Sequence, residues 1–138
     1  QGPSEFASHC HCQSCRLSHG AAFVTWTAVA LESFRFLQGE QLIRYYASSA
    51  SVEWGFCSHC GSSMLYRGAD TPDKIYLTVA SLTGLDRPVD SHVSYEEKVG
   101  WFQPNDGLPC YRGKSSELMR PCQLLAAKPG SEANPTQE

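Results

Sequence analysis

The segment HCHCQSC, His9 to Cys15, places three cysteines and two histidines within seven residues. Cys10 and Cys12 are two residues apart, so their side chains share one face of an extended chain. Cys12 and Cys15 have C-x-x-C spacing, which lets the chain fold back and direct both sulfurs at one ion. Three convergent thiols match the ligand number of a catalytic zinc, which keeps its fourth position open for water or substrate.

A second C-x-x-C pair, Cys57 and Cys60, is followed directly by Gly61. This is zinc-knuckle spacing, and the glycine permits the tight turn that the knuckle needs. The pair offers only two ligands, which leaves two arrangements open. A single four-cysteine zinc would combine Cys57 and Cys60 with two of the first three thiols. Alternatively, an open three-thiolate site stands apart, and the knuckle takes two further ligands from elsewhere.

The placement of the seven cysteines favours metal binding over disulfides. Disulfide frameworks spread their cysteines along the chain, whereas metal sites bunch them. Cys110 and Cys122 stand alone and are interpreted as small apolar residues. The start of the chain has no basic-then-apolar signal pattern, so we expect a reducing, cytoplasmic location.

Composition excludes several function classes. A formal net charge of −3, with no block of like charges, does not indicate a nucleic-acid partner or an acidic membrane surface. No apolar run of about 18 residues is present, so we expect no membrane span. The sequence does not indicate an oligomeric state.

Short alternating runs, such as AFVTWTAVA and KIYLTVA, are bounded by Gly, Pro, Ser and Asp and predict an all-β fold. We expect one antiparallel β-sheet sandwich domain over residues 1–120, followed by a disordered tail, 121–138. Trp26, Trp54 and Trp101 are expected in the core or in a pocket wall. His11 lies between two cysteines and should point away from their face, as a supporting or surface group.

The order of these motifs resembles the glutathione-dependent formaldehyde-activating enzyme family. The resemblance rests on HCHCQSCRLSHGAAF, on FCSHCGSSMLYR, on SHVSYEEKVGWF and on DGLPCYRGKS. It implies the β-tent (Mss-four-like) fold, which centromere protein V shares, and one or two Zn²⁺ per chain. The open zinc is carried over to Cys10, Cys12 and Cys15. The structural zinc uses Cys57 and Cys60 with an N-terminal C-x-C strand, which does not precede Cys10 here.

The resemblance also implies an activity, that of a carbon-sulfur lyase similar to S-(hydroxymethyl)glutathione synthase. The partners would be glutathione or another small thiol and a small aldehyde such as formaldehyde. The alternative is a non-catalytic zinc-binding module of the same fold. No catalytic residue beyond the zinc ligands is indicated. An anionic three-thiolate site calls for nearby N–H donors or cations, and the candidate cations are Arg16, Arg44, Arg67 and Lys98.

Overall fold

Seven strands, one α-helix and four three-residue 3₁₀ helices make up the regular structure in the computed structural model, which describes residues 3–113. The predicted tail, 121–138, and Cys122 therefore lie outside the described residues, and the boundary at residue 120 stays a prediction. The elements are β1 (Ala7–Cys10), α1 (Gln13–His19), β2 (Val24–Ala30), β3 (Ile43–Ser49), β4 (Val52–Cys57), β5 (Ser63–Gly68), β6 (Lys74–Thr78) and β7 (Ser91–Val93).

The strands form a single hydrogen-bonded sheet in the order β3-β4-β5-β6-β2-β1-β7. This confirms the predicted β fold. One detail differs from the sequence prediction, because β1 and β7 pair in parallel while the other neighbours are antiparallel. Parallel strands need a long connection. Between β1 and β7 that connection is residues 11–90, which contain α1 and the other five strands, and its last part, 79–90, carries the chain from β6 to the far side of β1.

The helix α1 was not predicted from the sequence, where its seven residues are too short to show a helical period. Its ends have clear local causes. The Cys12 side chain accepts a hydrogen bond from the Cys15 N–H as the N-cap, and Gly20 ends the helix with a left-handed φ of +60°. Within residues 3–113, no helix is long and apolar enough to cross a lipid bilayer.

Two buried clusters form the core. The first contains Cys10, Cys12, Cys15, Val24, Trp26 and Trp54, and the second contains Leu65, Ile75 and Leu77. Complete burial of Ile75 stabilises the fold by about 1.5–3 kcal/mol. Gly55 permits the close approach of β4 and β5, because a Cβ there would lie 2.7 Å from the Cβ of Leu65. The thiols of the first motif are therefore part of the core.

Candidate metal centre

Three consecutive pieces of local structure bring the first three thiols together. Cys10 ends β1, Cys12 caps α1 and Cys15 lies in the first turn of that helix. All three residues are buried, and their sulfur atoms lie within 4.8 Å of one another.

The spacing of the sulfurs fits a metal ion. The Cys10 and Cys15 Sγ atoms are 3.6 Å apart. Sulfurs at 2.3 Å from a tetrahedral zinc lie roughly 3.8 Å apart. The cluster could therefore hold a zinc ion with only small movements of its side chains.

Neutral N–H groups face the sulfurs. The backbone N–H of Cys15 donates to Cys12 Sγ at 3.4 Å, and the indole N–H of Trp26 donates to Cys15 Sγ, also at 3.4 Å. Such donors stabilise negative charge on a thiolate. The sequence placed Trp26 in a wall or core without recognising this role, because only the folded sheet shows where its N–H points.

The four cations suggested by the sequence make other contacts. The Arg16 Nε–H donates to the His11 carbonyl, and the Arg67 guanidinium stacks over the Tyr45 ring at 4.2 Å. Lys98 lies 5.9 Å from the Tyr95 ring, and Arg44 donates to backbone carbonyls. The observed hydrogen bonds to the three sulfurs therefore come from uncharged groups.

The pKa values of the thiols reflect their crowding. The contact with Cys12, together with burial, raises the pKa of Cys10. Contacts with Cys10 and Cys12, followed by burial, raise the pKa of Cys15 far above its usual range. Without a metal Cys10 and Cys15 are therefore protonated at neutral pH, so metal binding must release their protons.

A cavity of about 520 Å³ opens onto the cluster. Cys10 and Cys15 form part of its wall, next to Trp26 and Trp54. This confirms the prediction for these two tryptophans. The prediction for Trp101 was wrong, because the residue is 77% exposed and lies in a turn beyond the sheet. The other lining residues are Phe6, Ser8, Tyr66, Asp70, Thr71, Tyr76, Ser91, Val93 and Tyr111.

Six of the thirteen residues that line the cavity are aromatic. The Trp54 and Tyr66 rings lie 5.2 Å apart, and the Tyr66 and Tyr76 rings lie 5.1 Å apart. Among the described residues that line it, Asp70 is the one carboxylate and there is no lysine or arginine. The cavity therefore suits a small or apolar molecule whose reactive group reaches the thiols.

The second cysteine pair lies elsewhere, at the turn between β4 and β5. The turn is closed by hydrogen bonds from Gly61 N–H to the Cys57 carbonyl and from Cys57 N–H to the Ser62 carbonyl. Gly61 has a φ of +77°, as the knuckle prediction requires. Cys60 is exposed, and its sulfur lies 3.2 Å from the Ser62 hydroxyl.

Cys57 and Cys60 belong to neither of the two groups of three potential metal ligands found among residues 3–113. The arrangement in which they close a tetrahedron with two of the first three thiols is not formed. Zinc binding by Cys57 and Cys60 stays a prediction, and no third His, Cys, Asp or Glu ligand from residues 3–113 groups with them.

His11 faces away from the three thiols, as strand alternation predicts, but it is buried with 1% exposure. Its Nε2 atom lies 2.8 Å from Nδ1 of His92, whose Nε2 lies 3.0 Å from the Asp106 carboxylate. Burial lowers the pKa of His11 to about 4, so its ring is neutral at pH 7. The sequence did not single out His92 or Asp106, since they meet His11 only through the pairing of β1 with β7.

The chain was compared with curated proteins, solved structures and protein families. No curated protein matches the chain. The crystal structure of a Rhodobacter sphaeroides protein is similar, with 24% identity over 59% of this chain and 72% of that chain, and a TM-score of 0.49. The family described as glutathione-dependent formaldehyde-activating enzyme matches residues 1–98. Because that match spans most of the sequence and includes the three-cysteine cluster, the chain belongs to the glutathione-dependent formaldehyde-activating enzyme family.

Proposed function

We propose that this protein is a zinc-dependent carbon-sulfur lyase that joins the thiol of glutathione to formaldehyde, or catalyses the reverse reaction. The observation that carries the proposal is the position of the three-cysteine cluster. Cys10 and Cys15 are buried in the core yet form part of the wall of a cavity large enough for a small substrate. A purely structural zinc takes four protein ligands and needs no such access.

Cys10, Cys12 and Cys15 would hold the ion. When bound, zinc supplies a local positive charge that keeps an incoming thiol deprotonated at neutral pH. The protein contributes the N–H groups of Cys15 and Trp26, which offset the charge of three thiolates. The aromatic wall formed by Trp54 and Tyr66 excludes water from one side of the cavity.

The reaction balances without a further reactant. The thiolate sulfur attacks the carbonyl carbon of formaldehyde, a C–S bond forms and the C=O π bond breaks. The proton released by the thiol ends on the former carbonyl oxygen, which gives the S-hydroxymethyl product. Holding the two molecules in one cavity converts a bimolecular encounter into a local one.

The identity of the thiol rests on the family, whose description names glutathione. Glutathione carries two carboxylates, and the described lining residues offer them no lysine or arginine. Its glycyl and glutamyl ends would therefore lie towards solvent, with the cysteinyl sulfur directed at the thiol cluster. Smaller thiols fit the same cavity. A panel of thiols that differ in charge and size therefore tests two things separately: whether the protein catalyses the reaction, and which thiol it prefers.

Exchange spectroscopy with ¹³C-formaldehyde tests the proposal, because it measures how fast formaldehyde passes between its free form and the S-hydroxymethyl adduct. The zinc-loaded protein should accelerate exchange between free formaldehyde and the S-hydroxymethyl adduct, and Cys10→Ser should abolish the acceleration. Cys110→Ser is a matched control, since Cys110 is also buried but lies outside the cluster. If no thiol in the panel exchanges faster while zinc stays bound, the chain is a non-catalytic zinc-binding module.

A further inference from the structure

A second group of potential ligands lies on the opposite face of the sheet from the cavity. In the parallel pairing of β1 with β7, His9 is opposite His92. The flanking positions Ser8, Cys10, Ser91 and Val93 all line the cavity. Because side chains alternate along a strand, His9 and His92 are placed on the other face. There they meet Asp106, which lies in the loop beyond β7.

The donor atoms of these three residues converge. The Nε2 atom of His92 lies 3.0 Å from Oδ2 of Asp106, and the Nε2 atom of His9 lies 3.9 Å from the same oxygen. One ligand atom from each residue lies within 4.8 Å of the others. Nitrogen and oxygen ligands at 2.0–2.2 Å from a tetrahedral ion lie roughly 3.3–3.6 Å apart. These two distances bracket that range, and the two histidine nitrogens lie within 4.8 Å of each other, so side-chain movement alone would bring the three ligands onto one ion.

The other ring nitrogen of each histidine is already engaged. Nδ1 of His9 lies 2.8 Å from the Thr25 hydroxyl, which β2 places directly opposite. Nδ1 of His92 lies 2.8 Å from Nε2 of His11. Histidines that bind metals usually have such a partner on the second nitrogen, because it fixes the ring orientation and the tautomer. Both rings are therefore held with Nε2 directed towards Asp106.

Solvent reaches this group of three ligands mainly from one side. The His92 and His9 side chains are 1% and 17% exposed, whereas the Asp106 side chain is 42% exposed. The Phe23 ring packs edge-on against His9 at 4.6 Å and closes one flank. An ion would enter from the side of Asp106, and at least one coordination position would remain open to solvent.

We propose that His9, His92 and Asp106 form a second metal site, which binds a divalent first-row transition metal such as zinc. Two imidazoles and one carboxylate suit Zn²⁺, Fe²⁺ or Co²⁺, whereas three thiolates favour Zn²⁺ more selectively. The site is separate from the thiol cluster in its ligands and in the face of the sheet that it uses. It does not depend on the proposed lyase activity.

Elemental analysis of the full chain, loaded with zinc and freed of excess by gel filtration, tests the site. Wild type should carry about one ion more than Asp106→Asn and His9→Phe. Asn keeps the acceptor for the Leu108 N–H, and Phe keeps a ring against Phe23. Asp90→Asn is the matched control, because Asp90 flanks β7 but belongs to neither ligand group, and it should leave the zinc content unchanged. Equal zinc in wild type and in both site variants overturns the proposal.

Proton NMR of the cobalt-loaded protein gives a second readout that does not depend on stoichiometry. Two strongly shifted, exchangeable imidazole N–H signals should appear, one from each Nδ1–H, and both should vanish in D₂O. Thiolate ligands give no such signals, so the thiol cluster does not interfere. Loss of these signals in His9→Phe, with retention in Asp90→Asn, supports the site. Absence of any shifted exchangeable signal in wild type means that His92 and Asp106 form only a hydrogen bond.

Discussion

The two C-x-x-C motifs of this chain have the same spacing but different environments. Cys12 caps a helix and Cys15 lies in its first turn; both are buried, and Cys10 joins them as a third thiol from the adjacent strand. Cys57 and Cys60 lie on a hairpin turn, where Cys60 is exposed and no third ligand from residues 3–113 joins them. Spacing therefore determines how a turn presents two sulfurs. Burial and the number of ligands depend on what the fold brings to that turn.

Removing one thiol of the buried cluster should produce the largest loss of zinc-dependent stability. Zinc at 1,000 times its dissociation constant stabilises a folded protein by about 4 kcal/mol. We expect Cys15→Ser to remove most of that stabilisation, because two remaining thiols bind zinc weakly. Urea unfolding with and without zinc measures the difference for each variant. A zinc-dependent stabilisation of Cys15→Ser equal to that of wild type would show that the ion binds elsewhere.

Removing one N–H donor to the cluster should weaken its metal affinity by an intermediate amount. Trp26→Phe deletes the hydrogen bond to Cys15 Sγ, and the loss of such a supporting contact typically weakens metal affinity by about 10–100-fold. Trp54→Phe is the matched control, since the Trp54 indole lines the same cavity but donates to the Ser48 hydroxyl. Competition with a chromophoric chelator gives both affinities. Equal losses in the two variants would assign the effect to packing instead of the N–H.

The exposed Cys60 thiol should react faster with an alkylating reagent than the three buried thiols. Hydrogen bonding with Ser62 and contact with Cys57 lower the pKa of the Cys60 thiol, which increases its thiolate fraction at pH 7. In the metal-free protein we expect iodoacetamide to modify Cys60 well before Cys10, Cys12 or Cys15. Ser62→Ala should slow that step by a few-fold. Mass spectrometry of timed samples identifies the order, and early modification of Cys15 would contradict the described burial.

With the ligands of residues 3–113 alone, Cys60→Ser should have the smallest effect, whereas a zinc knuckle completed from outside that range would make the loss large. Substitutions at exposed positions usually change stability by no more than about 0.5 kcal/mol, and Ser can still hydrogen-bond to Ser62. The midpoint of urea unfolding measures the change in the zinc-loaded protein. A loss as large as that of Cys15→Ser would show that residues outside 3–113 complete a zinc knuckle at this turn.

The sequence predicted the features that depend on local spacing. The β fold, the glycine of the second turn and the convergence of Cys10, Cys12 and Cys15 follow from alternation and from C-x-x-C geometry. Helix α1 was missed because its signals, a cysteine cap and a terminal glycine, are weak in seven residues.

Features that depend on distant pairing could not be predicted. The contact between His92 and His11 spans 81 positions and exists only because β7 pairs with β1. The N–H of Trp26 reaches Cys15 because β2 packs beside α1. Trp101 was expected inside because of its residue type, yet it follows the last strand, where no other element within residues 3–113 covers it. Residue type and local spacing do not indicate which distant segments pair in the fold.

Cobalt substitution tests most directly whether the three-cysteine cluster is open. Cobalt bound by Cys10, Cys12 and Cys15 should show a thiolate charge-transfer band in the near ultraviolet and ligand-field bands in the visible range. Titration with glutathione should change both sets of bands and reach saturation, because a three-thiolate site has a free position and faces a cavity. Bands that stay unchanged at saturating glutathione, with cobalt still bound, would contradict the account and identify the cluster as a closed structural site.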